Sequence, residues 1–414
     1  MIDSLLERAN QLIKLKRYQD AEKELKQALT LEPNRAQALA LLSICQSEQN
    51  NQKEAINFIQ QAIAKEPDND FFLYLYAFYL FKDDKLKESE KMMRSAIAFE
   101  PHNAEYFGLL ALIKINQREW QQALDNANQG LSVDPDNLTC LNARSTAFFK
   151  LDKKDEAYTT IHEALSKDPY NEVTHTNLGW GLLEKGEHKK ALEHFREALK
   201  INPDFTYAKA GLVEGLKSRY WFYRLFLKYA FWVGNMKGKG QWAVVLGLYF
   251  GIQLLNKIAA SNPGLGVFIT PIVYLYILFA ISTWIIGPLS NLFLRLNVYG
   301  RFALTHEEIQ SSNFVGISLA VGLIGGVLFL FTGDFVFAML AIGGLTMMIP
   351  LASMFNPAKE RSKRILVAYT ILMALIGLGA ILDAVFHYGI GILGTVYIFG
   401  ILAYQWIANA MIIR

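Results

Sequence analysis

The sequence of 414 residues predicts an all-α chain in two parts: a stack of six helical hairpins, then a domain of six membrane-crossing helices. Three observations carry that prediction. Prolines recur every 34 residues through the first half, at Pro33, Pro67, Pro101, Pro135, Pro169 and Pro203. Apolar runs, each near the roughly 20 residues that cross a hydrocarbon core, fill the second half. Between the halves, from Ser218 to Gln241, aromatic rings mix with basic side chains, a composition suited to the boundary between water and lipid.

Composition narrows the function. The 52% hydrophobic and 19% charged residues are averages over two unlike halves, and a net charge of +3 argues against the concentrated basic face that nucleic acid requires. The only cysteines, Cys45 and Cys140, lie far apart with no second cysteine or histidine at metal spacing. They read as core thiols in a reducing compartment, and neither a metal nor a cofactor is expected. The start, Met1 to Arg8, lacks the basic residues and apolar run of a signal peptide, so the first half is expected to stay in the cytoplasm.

Within the ladder each proline ends one helix and lets the next begin, because it lacks an N–H and restricts the residue before it. Twelve residues upstream of the prolines stand Ala21, Ala55, Ser89, Ala123, Ala157 and Ala191; five upstream stand Ala28, Ala62, Ala96, Gly130, Ala164 and Ala198. Side chains this small let paired helices approach closely, and Gly179 in Asn177-Leu178-Gly179 adds another such position in the sixth unit.

This pattern resembles the tetratricopeptide repeat family over residues 1–217, about half the chain. The resemblance implies six repeats over 1–203, wound into a right-handed superhelix whose first helices line a concave groove, with 204–217 as a solvating helix. It places Leu73, Tyr76, Ala77 and Leu80 in the packing set of the third repeat and Phe71, Tyr74, Phe78 and Phe81 at groove-lining positions. Neighbouring groove positions fall on Ile44, Leu112, Ile115, Phe149 and Trp180. The run from Phe71 to Phe81 is too short to cross a bilayer. An apolar patch without a packing duty marks a binding surface, so the expected partner is a protein or peptide, best an apolar or amphipathic helix. The alternative is that these rings pack on the chain itself. Some family members grip acidic peptide C-termini with basic groove residues. Here the relevant positions hold Leu6, Ala40, Tyr74, Gly108, Asn142 and Thr176, none of them basic, which sets that mode aside.

After a basic, aromatic juxtamembrane segment at 218–241, the membrane domain spans 242–414. Its six expected spans are Trp242 to Ala260, Gly264 to Gly287, Phe314 to Thr332, Phe335 to Phe355, Ile365 to Asp383 and Ile390 to Ile413. Thr305 and Glu308 match a capping box, and Leu304 with Ile309 a hydrophobic staple, which predicts a short interfacial helix leading into the third span. Lysines and arginines concentrate on the repeat side of the spans, with only Lys257 opposite, so the repeats and the C-terminus are expected in the cytoplasm, at a bacterial inner membrane. Gly322 and Gly326 are spaced for close helix crossing, within this chain or between copies of it as a homo-oligomer. Asp383 and His387, four apart near the end of the fifth span, are the candidate polar membrane site; an interfacial hydrogen-bonded pair is the plainer reading.

No catalytic pattern emerges. Ser353 lacks the setting of an intramembrane serine protease nucleophile, and His306-Glu307-Glu308-Ile309-Gln310 has glutamine where a zinc-protease helix needs its second histidine. The expectation is a non-enzymatic, membrane-anchored scaffold that binds protein partners, in contact with membrane lipids and without nucleic acid. The alternative is a transporter, channel subunit or lipid-handling protein with the repeats as a regulatory or assembly module.

Overall fold

A computed structural model describes residues 1–236, 238–295, 304–357, 359–387, 389 and 391–412, with the side chains at 238–246, 248, 249, 263, 277, 278, 280, 281, 283, 284 and 387 outside that set. Among the described residues all regular structure is helical. The chain divides into two compact units, 1–185 with 193–205, and 186–192 with 206–414.

The first unit pairs α1 (Ile2–Lys14) with α2 (Tyr18–Leu31), α3 (Ala36–Glu48) with α4 (Gln52–Lys65), α5 (Asp70–Lys82) with α6 (Leu86–Phe99), α7 (Ala104–Asn116) with α8 (Trp120–Val133), and α9 (Leu138–Lys150) with α10 (Lys154–Lys167). Then come α11 (Glu172–Lys185) and α12 (His188–Ile201), whose later half belongs to this unit. Each first helix also touches the first helix of the next hairpin, the contact that makes a solenoid. Both ladders of small residues are buried, from Ala21 and Ala28 to Ala191 and Ala198. Side chains on facing helices fill the space they leave: a Cβ on Gly179 would stand 2.6 Å from the Phe195 ring.

Two further ladders of period 34 appear. Inside the hairpins, Lys16, Asn50, Asp84, Arg118, Asp152 and Gly186 all take positive φ, between 57° and 91°, which reverses the chain in a tight turn. Two residues after the prolines, the side chains of Asn69, Asn103, Asn137 and Asn171 accept the N–H of Phe72, Glu105, Cys140 and Thr174 and so cap α5, α7, α9 and α11.

The packing set of α5 differs from the expected one. Leu73, Ala77 and Leu80 are buried, but Tyr76 is half-exposed and its hydroxyl accepts from Gln60 Nε2 at 2.8 Å. Phe72, Leu75 and Tyr79 are buried instead, because this helix is packed by α3, α4, α6 and α7 and so buries more than one stripe.

In the second unit, α13 (Thr206–Lys217) buries Val213 and Leu216 with Leu192, Leu294 and Leu304. Then follow α14 (Trp221–Gly234), α15 (Gly238–Ser261), α16 (Pro263–Leu294), α17 (His306–Thr332), α18 (Phe335–Ser353), α19 (Glu360–His387) and α20 (Ile392–Ile412). Six spans were expected; among the described residues four helices, α17 to α20, are long and apolar enough to cross a membrane. The first two expected spans fall on α15 and α16. Many side chains there lie outside the described set, and the remaining apolar stretches, Gly264–Tyr276 and Ile285–Leu294, are each shorter than a bilayer requires. The capping box of Thr305 and Glu308 is present, but it starts α17 directly. The interfacial helix and the third span are thus one continuous rod, with no breaker between His306 and Phe314.

Large apolar side chains point outward from these helices, among them Leu330, Phe331, Phe386 and Trp406, each more than three-quarters exposed. Such faces suit a lipid solvent. Inside, hydroxyls join neighbouring helices: Ser318 Oγ donates to Gly344 O at 2.6 Å, and Tyr369 Oη donates to Gly400 O at 3.0 Å. Gly322 and Gly344 meet almost backbone to backbone, since a Cβ on Gly344 would lie 2.5 Å from Gly322 N. Gly325 lies against Ala341 in the same seam, whereas Gly326 has open space beside it, so the close crossing runs between α17 and α18 through Gly322 and Gly325.

Candidate functional site: a groove across the first repeats

A cavity of about 1000 Å³ in the first unit runs across α1, α3 and the start of α5. That volume lies at the upper end of the range for ligand pockets. Ala36, Ala40, Leu41 and Ile44 of α3 form an apolar floor, and the Phe71 ring, 43% exposed, stands at one side. Asn10, Asn34 and Gln37 bring amide groups, while Glu66 and Asn69 come from the loop before α5. Arg35 lines the same space but is engaged with Asp3 at 2.9 Å and Glu32 at 3.6 Å, so with Glu66 the wall carries a small net negative charge.

The residues assigned to the groove from sequence share out as follows. Tyr74 is half-buried, its ring stacked on Phe71 at 6.3 Å and on Tyr106 at 5.1 Å; burial raises its hydroxyl to about 12, so it stays a neutral hydrogen-bonding group. Phe78 is half-buried beneath Lys82, whose Nζ lies 4.8 Å from the ring centre, and Phe81 packs against the buried cluster that contains Leu73 and Ile113. Leu112 and Ile115 rest on Ala111, Ala127 and Ala143. Phe149 is buried with its ring where a side chain at Gly181 would be, and Trp180 meets Phe195 edge to face at 5.6 Å. Of the assigned set, Ile44 and Phe71 line the cavity.

Sequence reading passed over Asn10 and Gln37. The repeat period contains them, since Asn10 is one repeat before Ile44 and Gln37 one before Phe71. It also passed over Lys114, which is 4% exposed and contacts Glu90 at 2.7 Å and Glu119 at 3.0 Å. Burial pushes the Glu90 carboxyl up, but hydrogen bonds from Lys114, Gln117 and Arg94 outweigh it and hold the group at about 2.

Cys45 and Cys140 are buried, and burial raises both thiols to about 12, which keeps them protonated and inert. Among the described residues no cluster of three or more histidine, cysteine, aspartate or glutamate side chains could hold a metal. In the second unit an apolar cleft of about 350 Å³ lies between α17, α18, α19 and α20, lined by Ile317, Gly343, Gly377 and Tyr397 among others. The Asp383 carboxylate lies against Gly391, just before α20, where the positive end of that helix favours an anion. The side chain of His387 lies outside the described residues.

Comparison with known proteins bears on the repeats. Tetratricopeptide repeat family models match residues 12–70 and 173–205. The chain carries a tetratricopeptide-repeat segment. Among solved structures it is similar to pilF of Pseudomonas aeruginosa (15% identity, 50% of this chain and 95% of that one, TM-score 0.43). It is also similar to MamA (18%, 39% and 94%, TM-score 0.35) and to YrrB, described as a tetratricopeptide protein with an unusual peptide-binding site (18%, 44% and 95%, TM-score 0.33). No curated protein matches the chain.

Proposed function

We propose that the protein is a non-enzymatic scaffold held in a membrane by its C-terminal helices, whose repeats bind a protein partner through the groove between α1 and α5. The observation that carries this reading is the 1000 Å³ groove itself, with a floor of small and branched apolar side chains, an exposed Phe71 and flanking amides. Apolar floor and amide walls suit a peptide that buries one or two apolar side chains while Asn10 and Gln37 meet its polar groups. An amphipathic helix satisfies both. With Glu32 and Glu66 against the single, ion-paired Arg35, the wall disfavours an acidic terminus. The repeats and the C-terminus face the cytoplasm, on the basic side of the spans, as in a bacterial inner membrane.

The test is photocrosslinking in cells from a probe at Phe71 or Ile44, with Tyr170, exposed elsewhere in the array, as control. A protein captured from both groove positions, lost from the Phe71 probe when Ile44→Asp is added and not captured from position 170, supports the reading. Capture of nothing from the groove positions overturns it. A second reading, a lipid-handling protein, is favoured by the 350 Å³ cleft, whose lining is almost wholly apolar and would accept an acyl chain.

A further inference from the structure

The helix α14 has two unlike faces. Tyr223 and Leu227 are buried, and the Tyr223 hydroxyl donates to Glu214 of α13 while the Lys217 ammonium sits 5.7 Å from the Tyr223 ring. On the flanks, Tyr229 meets Phe279 edge to face at 4.9 Å and Phe222 meets Phe293 at 6.0 Å, both on α16. These contacts fix the helix in rotation. The opposite face carries Trp221, Arg224, Leu225, Lys228 and Trp232, all exposed. At 3.6 residues per turn these five fall within an arc of roughly 100°.

Large rings and a leucine interleaved with cations on an exposed stripe would be a costly surface in water, Trp221 being 72% and Leu225 62% exposed. From Gly215 to His306 the chain contains no aspartate or glutamate, so no neighbouring acid in sequence offsets the positive charge. The helix leads directly into α15, in the same unit as the four apolar helices.

Resting on the membrane reading above, we infer that α14 lies flat in the bilayer interface and that its exposed stripe is a docking surface for anionic phospholipid headgroups. Leu225 and the tryptophan rings enter the headgroup–acyl boundary, and Arg224 and Lys228 meet phosphates on either side of them. The ring contacts to α13 and α16 set which face meets lipid, so the surface is built in advance of binding. Two cations near an anionic surface favour it over a neutral one by about 30-fold.

The full-length protein in lipid nanodiscs tests this. Cys45 and Cys140 are buried, so a thiol fluorophore reports an introduced cysteine. Labels at Leu225→Cys, at Leu323→Cys on the exposed face of α17 and at Tyr170→Cys in the repeats are compared for quenching by lipids brominated near the headgroup end of the chain. Discs of phosphatidylcholine alone are set against discs that also contain phosphatidylglycerol. The expected result is quenching at 225 and 323 but not at 170, stronger at 225 in the anionic discs, with that lipid dependence abolished by Arg224→Gln with Lys228→Gln. Quenching at 323 without quenching at 225 overturns the inference and leaves the membrane reading standing. Equal quenching at 225 in both kinds of disc overturns the anionic preference. Absence of quenching at both 225 and 323 overturns the inference together with the reading beneath it.

Discussion

Replacing Lys114 with methionine isolates the one strongly buried cation of the repeat array with an ion-pair network around it. The substitution keeps the length of the side chain and removes contacts at 2.7 Å to Glu90 and 3.0 Å to Glu119. Glu90 is held at about 2 against an ordinary 4.5, and its side chain is 19% exposed. At 1.36 kcal/mol per unit the shift corresponds to about 3 kcal/mol, which partial solvent screening reduces to about 2 kcal/mol. Arg94 at 2.8 Å and Gln117 at 3.0 Å still serve Glu90 in the variant, so the loss lies near this figure and below the about 3–5 kcal/mol of a fully orphaned buried charge. Because the folded-state pKa is depressed, the contribution of Glu90 is complete above about pH 4.5 and disappears as the pH falls toward 2. Hydrogen exchange on full-length protein in detergent reads the effect as lost protection across α6, α7 and α8. The expected pattern is a loss of about 2 kcal/mol at pH 7, a smaller loss at pH 3, and partial recovery when Glu90→Gln is added. A loss under about 0.5 kcal/mol at pH 7, or one of equal size at both pH values, would refute the reasoning.

Three further outcomes rest on backbone strain, close packing and a histidine pair. Arg118 holds a left-handed backbone at φ 59° in a turn where Gly186 holds the equivalent place, so Arg118→Gly should raise the thermal midpoint of the repeats, by about 1 kcal/mol in free energy, measured by calorimetry. Gly344→Ala drives a methyl into the backbone of Gly322 at 2.5 Å and should cost about 1–3 kcal/mol, seen as faster unfolding in mixed detergent. The Nδ1 atoms of His175 and His194 lie 3.2 Å apart, and His175 Nε2 donates to Pro169 O, so His194 supplies the proton between the rings. Burial, then the neighbouring His175, lowers His194 below its usual 6.5, so folding disfavours its charged form. Stability from this pair is full above pH 6.5 and falls as the pH drops below it, visible as increased exchange in α11 and absent in His194→Asn.

The fold of the first unit was legible because a single period fixes it: proline punctuation and two ladders of small residues repeat in register, and every one of those small residues is buried. The site was legible only in part. Aromatic residues drew attention to Phe71, Tyr74, Phe78 and Phe81, yet stacking and core contacts absorb all but Phe71, since sequence shows which ring a helix carries but not which neighbour covers it. Asn10 and Gln37 are inconspicuous alone and gain meaning beside the floor of α3. In the second half, hydropathy located α17 to α20, with starts and ends shifted outward or inward by up to eight residues. Hydropathy does not distinguish a glycine that faces a helix, such as Gly325, from one beside open space, such as Gly326.

The asparagine caps begin only at α5, whereas α1 and α3, which carry Asn10, Gln37 and Ile44, start without a side-chain cap. Each missing cap forgoes about 1 kcal/mol, so among the first helices of the hairpins the two that hold most of the groove are also the ones with the weakest first turns. An occupant bridging them would act as a splint, and its arrival would register first as stiffening of those turns and only secondarily as a change of shape.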